Sequence, residues 1–88
     1  MLYPFMTLND GTEIVYSSPI PCGDDIQVKV VMETPIQDGF KDATCLIPGY
    51  VWENHGYSYM EMEYLKKLVT DVAPLLIKLS KEGGIESA

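Results

Sequence analysis

The chain has no arginine, one histidine and only two cysteines among its 88 residues. Each shortage excludes a kind of chemistry. Without Arg, bidentate grips on phosphates or guanine edges are missing. Six Lys against thirteen acids leave a formal charge of −7, which argues against nucleic acid and against an anionic membrane surface as partners. With His55 as the lone histidine, and Cys22 and Cys45 not forming a CxxC pair, the zinc-site patterns cannot be met. Asp24-Asp25 leads into alternating residues rather than a calcium-ligand loop. The glycines form neither a dinucleotide fingerprint nor a P-loop, and no nucleophile elbow is present. No metal, no cofactor and no catalytic residue is therefore assigned. No uncharged stretch reaches the ~18 residues of a membrane span. Met1-Leu2-Tyr3-Pro4-Phe5 lacks the basic and apolar regions of a signal peptide. The expectation is a cytoplasmic protein with two reduced thiols.

What is present is enough for one small core. Hydrophobic residues make up 47% of the chain, a globular composition for a single domain over residues 1–88. A chain this short buries only about 60–65% of its unfolded surface, so self-association is a reasonable source of further burial. Residues 1–63 carry ten acids and two Lys, residues 64–88 three acids and four Lys. The plain reading is solubility charge; the sharper one is an acidic end of a sheet that attracts a basic partner or a cation.

The element pattern is strands followed by a helix. Asn9-Asp10-Gly11 is a turn signal between two β-compatible runs, Tyr3 to Leu8 and Thr12 to Ser17. Pro4 confines the first run to an edge, and Met6 leaves open that residues 1–5 are a poorly ordered extension. Ser18 to Asp25, with two prolines and Gly23, reads as a loop. Ile26, Val28, Val30 and Met32 alternate with more polar residues in the clearest strand, which Pro35 is expected to end. Gln37-Asp38-Gly39 turns the chain into a strand over Phe40 to Ile47, with Ala43, Cys45 and Ile47 sharing a face. Tyr50 to Asn54 reads as a short helical turn.

From Ser58 the period changes. Leu65, Leu68, Val69, Val72, Leu75, Leu76 and Leu79 make an apolar stripe with Leu68 at its centre. Ser58 with Glu61 forms a capping box, Lys78 and Lys81 suit the C-terminal end of the dipole, and Gly83 is placed for the left-handed stop. Pro74 removes a backbone donor. The helix either kinks there or breaks, with Asp71 capping a second segment; the stripe keeps its phase across Pro74, which favours one kinked helix.

One local feature stands out. Tyr50, Trp52, Tyr57, Tyr59 and Tyr64 fall within fifteen residues, with His55 among them. Tyr and Trp are favoured at interfaces because they bury much area at small entropic cost and keep a polar tip. These six residues are the candidate interaction patch, set against the plainer reading that they close the open end of the core. His55 beside Glu53 could in principle activate a thiol, but no spacing places it near Cys22, and Cys45 falls on the core face of a strand.

The segments Asp10-Gly11-Thr12-Glu13-Ile14-Val15, Thr34-Pro35-Ile36-Gln37-Asp38-Gly39-Phe40 and Glu82-Gly83-Gly84-Ile85 resemble those of small uncharacterised bacterial proteins of similar length. The resemblance implies a small intracellular bacterial domain. It brings no activity, cofactor or site residue.

The sequence thus predicts an α+β domain: an antiparallel sheet of three to four strands over residues 6–47, covered on one face by a helix over residues 58–82, with residues 83–88 as a tail. The expected core is Ile14, Tyr16, Ile26, Val28, Val30, Cys45, Ile47, Leu65, Leu68, Val72, Leu75 and Leu79. The functional expectation is a non-enzymatic protein-interaction module, homodimeric or bound to a partner protein. Its rivals are a ligand binder or enzyme with a site near Trp52 and His55, and an acidic, antitoxin-like regulator of a basic protein.

Overall fold

The computed structural model describes residues 2–83, and the tail beyond Gly83 lies outside them. Six strands precede one helix: β1 (Leu2–Thr7), β2 (Glu13–Ser17), β3 (Ile20–Cys22), β4 (Asp25–Ile36), β5 (Gly39–Ile47), β6 (Val51–His55) and α1 (Tyr59–Lys81). All pairings are antiparallel, in the order β1-β2-β4-β5-β6, and β3 adds to β4 beside β2. Apart from the short β3, which lies between β2 and β4 in the chain and pairs with β4, the sheet is a meander of antiparallel neighbours.

Register builds the core face. Tyr3, Tyr16, Val30, Cys45 and Trp52 lie opposite one another across five strands, and Ile14, Met32 and Ala43 form the next row. Directly paired residues share a face, so these rows put inward residues of β2, β4 and β5 on the one face that packs with α1. Tyr16, Val28, Val30, Met32, Ala43, Cys45 and Ile47 are completely buried. Tyr3 and Phe5 extend the core to the β1 edge by packing on the Tyr16 ring, at 5.6 and 6.4 Å between centroids.

The sheet has six strands, not three to four, and both additions correct the sequence reading. Ile20–Cys22 pairs with Asp25–Gln27 inside the predicted loop. Pro21 is tolerated there because β3 is an edge, where a missing N–H breaks no ladder. Val51–His55 forms β6, not a helical turn. Trp52 completes the Cys45 row on the core face, while Val51, Glu53 and His55 face outward. Pro35 does not end β4 either; it pairs with Phe40, beyond the last β2 partner at Glu33.

The helix obeys its caps. Ser58 Oγ accepts from the Glu61 N–H at 3.2 Å, and the Ser58 N–H donates to Glu61 Oε1 at 2.9 Å. Gly83 takes φ +83° just past the end. Pro74 lies within one continuous helix. It and Thr70, whose carbonyl loses its partner, are both exposed, so water can accept that role. Asp71 therefore caps nothing and instead accepts from Lys67 Nζ at 3.3 Å.

The buried stripe is rotated from the predicted one. Met62, Leu65, Val69, Ala73, Leu76 and Ser80 face the sheet. Leu68, Val72 and Leu79 are half-buried flanks, and so is Ile26 in β4. Leu75 is 47% exposed. At about 100° per residue, Leu75 sits roughly 120° from the centre of the buried arc, beyond what one sheet face covers. The small residues Ala73 and Ser80 are both buried on this face, and Ser80 Oγ donates to the Ser17 carbonyl at 2.7 Å. Among the described residues, no helix is long and apolar enough to cross a membrane.

Candidate functional site

A pocket of about 270 Å³ opens between the β1–β2 turn and the first two turns of α1. The turn is built by its own sequence. The Leu8 N–H donates to the Thr12 carbonyl at 2.8 Å, the Thr12 N–H to Asp10 Oδ1 at 2.9 Å, and Gly11 takes φ +90°. That left-handed backbone disfavours any side chain. The helix supplies the opposite wall. Met60 and Tyr64, spaced one turn apart, flank the buried Leu65 and are 76% and 59% exposed.

The lining divides by chemistry. Leu8, Met60, Tyr64 and Leu65 form apolar walls; Thr12, Thr34 and Tyr57 form the floor; Asp10 and Glu61 stand at the rim. A shallower depression continues over Met6, Thr7 and Asn9, sharing Leu8, Asp10 and Tyr64. On the floor the Thr12 and Thr34 hydroxyls are hydrogen-bonded to each other, and the Tyr57 hydroxyl lies 2.8 Å from Thr34 Oγ1. All three residues are buried. Tyr57 is fixed from behind by Asn54, which accepts from the Tyr57 N–H and donates to its carbonyl, both at 3.0 Å. The Lys41 ammonium lies 5.4 Å from the Tyr57 ring centroid and 2.6 Å from Glu61 Oε2.

Titration behaviour follows from these contacts. Hydrogen bonds from the Thr12 hydroxyl, then from its N–H, hold Asp10 below the ordinary carboxylate range. Lys41, then the Ser58 N–H, does the same for Glu61. Burial raises Tyr57, so the phenol stays neutral at pH 7. A hydrolytic carboxylate pair needs one member kept protonated; both rim acids are shifted the other way. The arrangement suits binding by shape and by hydrogen-bond acceptance better than proton transfer.

Of the six patch residues, the structure brings Tyr57 and Tyr64 into this pocket. Tyr59, at the first helical position, is 77% exposed and outside the lining. Tyr50 sits in the β5–β6 turn at φ +54°. Trp52 and His55 lie on opposite faces of β6: Trp52 packs beside Cys45, and His55 Nδ1 lies 2.8 Å from Asp42 Oδ1 on the outer face. That face carries Glu13, Glu33 and Asp42 in one cross-strand row. Among the described residues, no group of three or more His, Cys, Asp or Glu could hold a metal ion.

The thiols stay apart from this histidine. Cys22 pairs with Asp25 at one end of β4, whereas Asp42 and His55 lie level with Glu33, about 26 Å along the strand at ~3.3 Å per residue. Cys45 is buried, and desolvation pushes its thiol up to about 11; Cys22 is exposed. Since the thiolate is the reactive form, a disulfide reagent should titrate one thiol of the native protein promptly and the second only in denaturant. Two prompt equivalents would show that β5 opens readily.

The lining residues that sequence reasoning did not connect with a site are Leu8, Asp10, Thr12 and Thr34. One signal was available: Thr34 continues the inward register of Val28, Val30 and Met32, and a polar residue on a core face demands a partner. Comparison with family models, with curated proteins and with solved structures gives no match.

Proposed function

We propose that this protein is a non-enzymatic interaction module that seats one anchoring side chain of a partner protein between the β1–β2 turn and α1. The observation that carries this reading is the pairing of exposed apolar walls, Met60 and Tyr64, with a buried and fully bonded polar floor. Composition favours a protein surface, since Tyr is enriched at binding hot spots and Met adapts to irregular partners. The floor is preorganised, so little ordering cost falls on binding.

Panning a displayed peptide library on the folded protein tests this. Selected peptides should compete with one another and shift the amide resonances of Leu8, Thr12, Tyr57, Tyr64 and Leu65. Tyr64→Asp should weaken them by tenfold or more, about 1.4 kcal/mol. Peptides that instead shift β6 or the outer face of the sheet would refute the location, and a library yielding no competing peptides would refute the role.

A further inference from the structure

The rim of the pocket selects a ligand by charge. An ionised carboxylate can only accept hydrogen bonds. Asp10 is exposed and accepts from the Thr12 N–H at 2.9 Å. Below it the Thr12, Thr34 and Tyr57 hydroxyls are bonded to one another, and either hydroxyl of each pair can be the donor. What the rim offers an incoming group is therefore the unfilled acceptor sites of the Asp10 carboxylate.

Nothing else in the lining supplies a cation. Lys41 is not part of it, and its ammonium is held by Glu61. The positive end of α1 is answered by its own capping carboxylate, since Glu61 accepts from the Ser58 N–H. The wider field has the same sign, with ten acids against two Lys over residues 1–63.

We infer that the anchor this pocket selects is a lysine or arginine side chain on a basic segment of the partner, its methylene stem lying along Leu8, Met60 and Tyr64 and its cationic head donating to Asp10. This rests on the interaction reading above and gives it a chemistry. Long cationic side chains bury their stems on apolar surface while the head stays near water, which matches apolar walls beneath an acidic rim.

Three probes of one length separate the claims: n-hexylammonium, n-hexanol and n-hexanoate, titrated into isotopically labelled protein at low salt while the Thr12, Tyr57, Tyr64 and Leu65 amides are followed. The ammonium should bind about tenfold more tightly than the alcohol, the scale of a charge-assisted hydrogen bond at a partly solvated site, and hexanoate should bind most weakly. Asp10→Asn keeps an acceptor for the Thr12 N–H, so the turn survives. It should abolish the preference for ammonium over alcohol. Equal binding of alcohol and ammonium would overturn the cation selection and leave the groove standing. Ammonium shifts confined to the outer-face row of Glu13, Glu33 and Asp42 would overturn it as diffuse charge attraction. Silence of these amides to all three probes would remove the groove itself.

Discussion

Leu76→Ala should lower the unfolding free energy by about 2–5 kcal/mol, while Leu75→Ala, one residue earlier, should cost less than about 1 kcal/mol. Leu76 is completely buried against the sheet and Leu75 is 47% exposed. Truncating Leu76 removes apolar contact at about 25 cal/mol per Å² and leaves a cavity that a single-layer core has few spare atoms to fill. Truncating Leu75 removes contact that water already shares. For a domain whose whole stability is of the order of 5–15 kcal/mol, the first change threatens folding at 37 °C and the second does not. Paired urea titrations decide it, read at unchanged slope so that the midpoint shift reports stability. Similar losses at the two positions would mean that the helix is rotated about its axis from the orientation described. Leu68, the centre of the stripe as the sequence draws it, is half-buried and should fall between them.

Thr34→Val should cost roughly 2–4 kcal/mol, although it changes almost no volume. Thr34 is the middle of the Thr12–Thr34–Tyr57 chain, so one substitution strands two hydroxyls in buried positions, each worth about 1–3 kcal/mol when left unsatisfied. The sharper test is non-additivity. Adding Thr12→Val and Tyr57→Phe removes the stranded groups, and replacing all partners by apolar isosteres can be nearly neutral. The triple variant should therefore be more stable than Thr34→Val alone. A cycle measured by thermal or urea unfolding gives the coupling directly. Additive losses would show that water replaces the missing hydroxyl.

Much of the fold was legible from spacing. The alternation in β4 and β5, the Asn9-Asp10-Gly11 turn and the Ser58–Glu61 cap are local patterns, and each acts within a few residues of where it is written. What was missed is not local. Val51–His55 has the composition of a turn and becomes a strand because Trp52 completes a row begun four strands away. Ile20–Cys22 follows Pro19 and contains Pro21, yet becomes a strand because β4 is long enough to offer a free edge. The aromatic cluster looked like one patch because its members are close in sequence. Strand alternation then sends Trp52 and His55 to opposite faces, and the turn at Gly56 carries Tyr57 inward to Thr34. The pocket itself draws on residues 8 to 65, a separation at which spacing carries no information.

The order of strands before helix, the capping of that helix and the turn at Asp10 belong to the sequence alone, because each follows from side-chain chemistry or from the periods of two and 3.6 residues. Which face of the helix is buried, how many strands the sheet holds, and that Asp10, Thr12, Thr34 and Tyr57 form one bonded chain were decided only in three dimensions. Those outcomes depend on register between strands, and register is set by summed packing over the whole core face rather than by any one segment.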